Sequence, residues 1–383
     1  MTDPRQACID ELDADASLRT PWVRRAFTTV DRARFTPARI WTQTPGADGL
    51  YQVISRDTDP EAWQRAVWHP HRSVITQFDD HRLPDTAARG DFTSSISAPD
   101  TVCDLLTRLD LQPGMRVLEI GTGSGYSAAL LCERVGATNV TTIEVDPHLA
   151  GWARGNLAEA GYHPKVICGD GTESGASNGP YDRIIATAAL RSVPYPWVEQ
   201  AVEGAVIVTP VGTAYAAGAL ARLTVEDGAA SGRFVGTARY MWVRGQRPQR
   251  VINPPDEKRR TAAVLDPAEV MCGGWAQDFA VGLRVPDIDF AHRGDGDQRQ
   301  AQFWDQAGTS VTLVNYGRWQ EEGAVTSYGS RDLWAEVVAA YTGWRAAGEP
   351  EPARHGLAVS RTGQQFWLDT PAPVGAGHDT ALR

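Results

Sequence analysis

Val117-Leu118-Glu119-Ile120-Gly121-Thr122-Gly123-Ser124-Gly125-Tyr126 is a short apolar strand running into a glycine-rich turn, and Ser127-Ala128-Ala129-Leu130-Leu131 then opens a helix. A βα turn this tight needs residues that tolerate unusual φ/ψ and let a ligand approach the backbone. The helix behind it aims free N–H groups and its positive dipole end at whatever sits in the turn. Dinucleotide folds place a pyrophosphate there. Here Glu119 stands just before the glycines. A carboxylate suits a cationic ligand better than a phosphate, and S-adenosylmethionine carries an ammonium and a sulfonium but no phosphate. The alternative is an ordinary nucleotide turn, and the residues downstream decide against it.

Val140-Thr141-Thr142-Ile143-Glu144-Val145-Asp146 reads as a second parallel strand. It ends in an acid about 20 positions past the turn, where a ribose hydroxyl pair is held. Val166-Ile167-Cys168-Gly169-Asp170-Gly171 is a third, with Asp170 placed for the adenine amino group. Tyr181–Thr187 and Ala205–Pro210 are a fourth and a fifth. Strands alternating with helical segments predict an α/β fold with a doubly wound, mostly parallel, Rossmann-like sheet. The expected cofactor set is Glu119, Gly121, Thr122, Gly123, Ser124, Gly125, Glu144, Val145, Asp170 and Gly171. Taken singly, each carboxylate is more simply a helix cap or a solvated loop charge. Three around one glycine turn point to S-adenosylmethionine.

With these pieces in hand, residues 93–212 resemble the protein-L-isoaspartate O-methyltransferase family. The matching stretches are Ser95-Ile96-Ser97-Ala98-Pro99, the glycine turn, Glu144, Gly169-Asp170-Gly171, Pro180–Ile185, Ala188-Ala189 and Pro210-Val211-Gly212. Val30-Asp31-Arg32 and Phe35-Thr36-Pro37 echo the family's Val-Pro-Arg and Phe-Val-Pro upstream. The glycine turn is shared by many methyltransferases; the Ser-Ile-Ser-Ala-Pro segment is far more specific. The resemblance implies a class I methyltransferase sheet and a carboxyl O-methyltransferase. It also implies that Ser97, in the place of the serine in the family's Thr-Ile-Ser, orients the acceptor carboxylate. Ser95 keeps the hydroxyl of the threonine. The alternative role for Ser97 is an N-cap, because Ala98-Pro99-Asp100-Thr101-Val102 opens a helix.

The chain departs from that family in its layout. A long segment separates Phe35-Thr36-Pro37 from Ser95 and contains Trp63–Trp68 and Thr76-Gln77-Phe78-Asp79-Asp80. The final family strand is replaced by Phe234–Trp242, and more than a hundred residues follow the sheet. This enlarged layout is similar to actinobacterial methyltransferases encoded beside ribosomal-peptide maturases of graspetides, lasso peptides and lanthipeptides. That similarity implies methylation of an aspartate in a constrained precursor peptide, leading to aspartimide or isoaspartate, and association with a peptide maturase. Repair of isoaspartyl proteins and small-molecule O-methylation are the alternatives. The expected organisation is an N-terminal helical and inserted region over 1–90 and a cofactor-binding domain over 91–250. A proline- and charge-rich break over 247–260, an α+β peptide-recognition unit over 255–370 and a disordered tail over 371–383 complete it.

Composition sets outer bounds. The 383 residues leave room for a catalytic domain and one or two smaller units. A net charge of −10 without a Lys/Arg stripe argues against a nucleic-acid partner. No apolar run is long enough for a membrane span and the N-terminus lacks a signal segment, so a cytoplasmic protein is expected. Cys8, Cys103, Cys132, Cys168 and Cys272 are scattered without metal-ligand spacing, which predicts reduced thiols and no metal. The chain has 13 tryptophans, and Trp41, Trp63, Trp68, Trp275, Trp304, Trp319, Trp334, Trp344 and Trp367 lie in the added regions. Most belong in cores; an exposed minority would dock a peptide.

Overall fold

The computed structural model describes residues 3–173, 179–250, 253, 256 and 258–370. They fall into two compact units. The first takes the chain up to 188 with 194–209 and 222–230; the second takes 189–193, 210–221 and the residues from 231 onward.

The first unit opens with α1 (Pro4–Ala14) and α2 (Pro21–Thr29), both started by a proline whose fixed φ suits the first helical position. Thr20 stands at the N-cap of α2 but makes no side-chain cap bond; its hydroxyl accepts from Thr107 Oγ1 at 3.0 Å instead. The N-terminal region is not mainly helical. It holds β1 (Arg39–Trp41), β2 (Val53–Ser55), α3 (Pro60–Val67) and β3 (Val74–Phe78), and with β4 (Phe92–Ile96) it makes an antiparallel sheet of order β2-β1-β3-β4. Trp41, Ile75, Phe78 and Ala88 form its core, with Trp41 stacked on Phe78 at 4.2 Å. Strands of three residues are too short to display alternation, which hid them from sequence reading. Because β3 pairs with β4, residues before 90 and the cofactor sheet share one unit, without a boundary at 90.

After α4 (Pro99–Leu109) come β5 (Val117–Ile120), α5 (Tyr126–Val135), β6 (Val140–Glu144), α6 (Pro147–Glu159), β7 (Lys165–Cys168), β8 (Tyr181–Ala186), α7 (Tyr195–Glu199) and β9 (Ala201–Val211). The strands run parallel in the order β9-β8-β5-β6-β7. The five expected strands and the doubly wound fold are all present. Successive strands run outward from β5 to β7 and then from β8 to β9, so the order reverses between β5 and β8. A crevice outside the carboxyl ends at such a reversal is where open α/β sheets bind ligands. All four β5 side chains are buried, as expected for a central strand covered on both faces.

β10 (Ala219–Glu226) and β11 (Ala229–Thr237) follow. The expected strand Phe234–Trp242 ends at Thr237; Ala238 N donates to Gly218 O, and Trp242 forms an isolated bridge with Ala189. The second unit then adds β12 (Lys258–Thr261), α8 (Pro267–Met271), α9 (Trp275–Arg284), β13 (Ile288–Arg293), β14 (Gln300–Asp305), β15 (Val311–Asn315), β16 (Val325–Tyr328) and α10 (Leu333–Ala346). An antiparallel hairpin of β17 (His355–Ser360) and β18 (Gly363–Leu368) closes it. Its sheet has the antiparallel order β12-β16-β15-β14-β13. Trp334, Val337, Tyr341 and Trp344 of α10 join Phe303, Val314 and Val325 of the sheet in one core. Phe234 packs against Phe279 at 4.9 Å, which gives the altered strand a core role in this unit. Of the tryptophans considered as docking anchors, Trp41, Trp63, Trp68, Trp304, Trp334, Trp344 and Trp367 are buried, and Trp275 and Trp319 are half-buried. They are core residues. The expected disordered tail lies outside the described residues.

Trp334 lies 5.9 Å from Phe303, ring to ring, and is 2 % exposed. Trp334→Ala should cost about 3–5 kcal/mol of stability in urea denaturation; a loss under about 1 kcal/mol would contradict this packing.

Candidate functional site

The glycine turn joins β5 to α5 through three left-handed residues: Gly121 at φ +93, Gly123 at +55 and Gly125 at +87. A Cβ on Gly121 would stand 2.7 Å from Thr187 Oγ1, so neither the φ nor the space admits a side chain. Gly125 N donates to Thr122 O at 2.9 Å and closes the turn.

Beneath the turn lies a buried hydroxyl chain. Thr142 Oγ1 donates to Glu119 Oε2 at 2.7 Å, and Thr122 Oγ1 lies 2.6 Å from Thr142 Oγ1. With Thr142's one proton committed to Glu119, Thr122 is the donor in the second bond. Glu119 has no exposed surface and its Oε1 has no partner. Burial pushes its carboxyl up to about 7, while the nearby Ser127 and Thr142 hydroxyls pull down and the Glu144 charge pushes up. Sequence reading placed this carboxylate against a cationic ligand; the structure places it inside the sheet, under Thr142 and Thr122. A strand-end acid on a strand covered on both faces has no open side.

Glu144 and Asp146 flank the turn from β6. Glu144 Oε2 accepts from Gly123 N at 2.9 Å and Oε1 from Asp146 N at 3.0 Å, and the residue keeps 7 % exposure. Val145 between them is 41 % exposed, a large apolar side chain turned outward at a strand end. Asp146 caps α6 through His148 N and Leu149 N. Its Oδ2 accepts from buried Gln77 Nε2 at 3.1 Å. Gln77 comes from the inserted Thr76–Asp80 segment, and sequence reading missed its role because only the sheet pairing brings β3 there. Ser124 is buried, and its carbonyl accepts from Asn156 Nδ2 at 3.0 Å.

Asp170 is exposed beyond β7, and its Oδ1 accepts from Thr172 N and Oγ1. A Cβ on Gly171 would stand 2.6 Å from Ile120 Cγ2, and Gly171 O accepts from Trp197 Nε1 at 2.8 Å. Glycine there lets the Asp170 loop close onto the end of β5.

The serine segment meets the same turn. Ser95 pairs with Ile75 in the antiparallel sheet, and its carbonyl oxygen is 3.9 Å from the Cβ position of Gly123. Ser97, just past the end of β4, is half-buried and makes no side-chain hydrogen bond among the described residues. It does not cap α4: Ala98 occupies the cap position, with no side-chain cap bond. So the structure assembles Ser95, the glycine turn, Glu144, Val145, Asp170 and Gly171 around the sheet's carboxyl ends, with Ser97 two residues beyond Ser95. Glu119 stands below them.

Comparison with known proteins gives a consistent result. The family model for protein-L-isoaspartate(D-aspartate) O-methyltransferase matches residues 64–247. A Thermococcus sibiricus protein-L-isoaspartate O-methyltransferase is 47% identical over 207 residues, covering 54% of this chain and 76% of that one. The Hyperthermus butylicus protein of the same name is 44% identical over 131 residues, 32% of this chain and 54% of its own; against such relatives the chain spans about half their length. A solved protein-L-isoaspartate O-methyltransferase superposes with a TM-score of 0.54 at 18% identity, over 96% of this chain and 100% of that one, which shows the shared fold. No helix among the described residues is long and apolar enough to cross a membrane.

A carboxyl displaced upward by burial takes up a proton on folding. The Glu119 penalty is therefore absent below its usual value of 4.5, grows as pH rises to about 7 and is constant above. Glu119→Gln should be stabilised over the native chain by about 1–3 kcal/mol at pH 8 and much less at pH 5. A stability difference that does not change with pH would contradict the displaced carboxyl.

Proposed function

Because this chain belongs to the protein-L-isoaspartate O-methyltransferase family, we propose that it methylates a side-chain carboxylate of aspartyl type in a peptide or protein, using S-adenosylmethionine. The observation that carries this reading is the approach of the Ser95–Ser97 segment to the glycine turn, with Ser95 O 3.9 Å from the Gly123 Cβ position. A donor site and a hydroxyl-bearing acceptor site then share one wall.

The residues around the turn fit the cofactor. Glu144 faces the position of a ribose diol, the outward Val145 offers an apolar surface to a base, and Asp170 can accept from an adenine amino group. The left-handed glycines leave the backbone bare for close approach. Glu119 acts from below, holding Thr142 and Thr122 so that the turn keeps its shape. When bound, S-adenosylmethionine supplies a methyl group on a sulfonium, whose leaving group is a neutral thioether.

The acceptor carboxylate is already ionised at neutral pH, so the chain need supply no strong base. Its task is to place one carboxylate oxygen in line with the methyl and strip water from it. Ser97 Oγ, free of other bonds among the described residues, donates to the second oxygen and holds the carboxylate without adding a charge that would quench the nucleophile. The ester carries a leaving group, methanol, that the carboxylate lacks. The backbone nitrogen of the following residue can attack it, expel methanol and close a succinimide, which water opens to aspartate or isoaspartate.

The matched family region favours an isoaspartyl acceptor. The second reading, an aspartate in a constrained ribosomally made peptide, starts from the five-stranded sheet and α8–α10, which lie beyond residue 247 where the family model ends; the solved relative that superposes over 96% of this chain shares that fold, so the unit does not by itself separate the two readings. In the second reading the second unit recognises the peptide and a maturase supplies it.

Glu144→Ala should weaken S-adenosylmethionine binding by about 1–3 kcal/mol in calorimetry, and unchanged affinity would refute its assignment. Ser97→Ala should slow methyl transfer about tenfold or more while cofactor affinity holds. Linear isoaspartyl peptides and cyclised aspartyl peptides, offered in competition, decide the acceptor by mass spectrometry. A base-labile methyl gain on the linear isoaspartyl set supports the first reading, and gain only on the cyclised set followed by loss of methanol supports the second. A stable methyl on a hydroxyl or amine rules out both.

A further inference from the structure

Arg32 is a buried cation without a counter-ion among the described residues. It opens the 3-10 turn Arg32–Phe35 and has 0 % exposure. Its Nε donates to Val67 O at 2.9 Å and its Nη2 to Ile96 O at 3.0 Å. Its guanidinium lies 5.2 Å from the centre of the Tyr126 ring. Nη1 and the Tyr126 hydroxyl are both buried and have no hydrogen-bond partner. No carboxylate pairs with Arg32 among the described residues. The titratable groups acting on it are Tyr126, Cys8 and Cys103, all pushed upward by burial and so neutral at physiological pH. Burying a guanidinium with no opposite charge is costly, and a packed apolar side chain of similar volume would usually serve stability as well or better. Such a residue calls for a role beyond stability.

Its contacts suggest one. Ile96 is the residue between Ser95 and Ser97, and Tyr126 is the first residue of α5, directly after Gly125. Arg32 therefore touches both the serine segment and the helix that begins at the glycine turn. Val67, its third contact, ends α3. We propose that Arg32 is a positioning residue that ties the Ser95–Ser97 segment to the start of α5 and so sets Ser97 against the methyl-transfer site. Two of its three N–H-bearing nitrogens are spent on carbonyls of separate segments, a fork that a single ammonium reproduces only in part. The role acts on the acceptor side, because neither bond reaches the residues that face the cofactor. The inference rests on the carboxyl methyltransferase reading for its kinetic consequence, though not for its structural one.

The test uses the full chain with Arg32→Met and Arg32→Lys. S-adenosylhomocysteine affinity is measured by calorimetry, kcat and KM on whichever carboxyl peptide the native chain methylates, and amide exchange over residues 92–97. For Arg32→Met we expect affinity within about threefold of native, KM within about threefold, and kcat lower by about thirtyfold. Exchange over 92–97 should be faster by about tenfold while 117–125 is unchanged. Arg32→Lys should recover part of kcat, to within about three- to tenfold of native. Native kcat and native exchange in Arg32→Met overturn the proposal. So does a loss of kcat matched by loss of S-adenosylhomocysteine affinity, which would place Arg32 with the cofactor. If Arg32→Met does not fold, Arg32→Lys decides alone, and native kcat with native exchange then overturns it. If the native chain methylates no carboxylate, the functional reading fails, and the exchange data still decide the tether.

Discussion

The Glu119–Thr142–Thr122 chain is the interaction on which the site depends. It spends a fully buried carboxyl, and a penalty that burial imposes on its charge, to fix one hydroxyl under the glycine turn. The glycines free the backbone for left-handed φ but give it nothing to hold that shape. The hydroxyl chain supplies the hold from below and Glu144 supplies it from the side, through Gly123 N. The turn is thereby organised by its own strand and the next, before any ligand arrives, which lowers the ordering cost of binding.

The inserted N-terminal sheet extends the same logic to the proposed acceptor side. β4 carries the serine segment, β3 carries Gln77 to Asp146, and Arg32 bonds Ile96 O. The Gln77–Asp146 bond thus ties the short antiparallel sheet to the end of β6, and the Arg32–Ile96 bond holds the end of β4. The stack of buried Trp41 and Phe78 with half-buried Phe92 gives that sheet a core of its own, so its position does not rest on polar contacts alone.

Much of the parallel sheet was legible because strand, turn and helix each left a local mark. Val117–Ile120, the glycines and the apolar start of α5 are contiguous, and the acids at Glu144 and Asp170 sit at strand ends by counting. What escaped was non-local. Nothing in Gln77 or Arg32 announces that sheet pairing brings them to Asp146 and Ile96. Ser97 looked like a cap because Pro99 marks a helix start, yet the chain enters α4 at Ala98. Glu119 looked like a ligand because position along the strand was readable and burial beneath Thr142 was not. The tryptophans were ambiguous for the opposite reason: an aromatic suits a core and a docking surface equally, and only burial decides.

A crystal structure with S-adenosylhomocysteine and an isoaspartyl peptide decides whether one wall of the first unit holds both the methyl donor and a carboxylate acceptor. The expected result is the ribose hydroxyls on Glu144, the base over Val145, and the peptide carboxylate within hydrogen-bond reach of Ser97 Oγ on the side facing the sulfur. A peptide carboxylate bound away from Ser97, or a cofactor whose ribose does not meet Glu144, would contradict it.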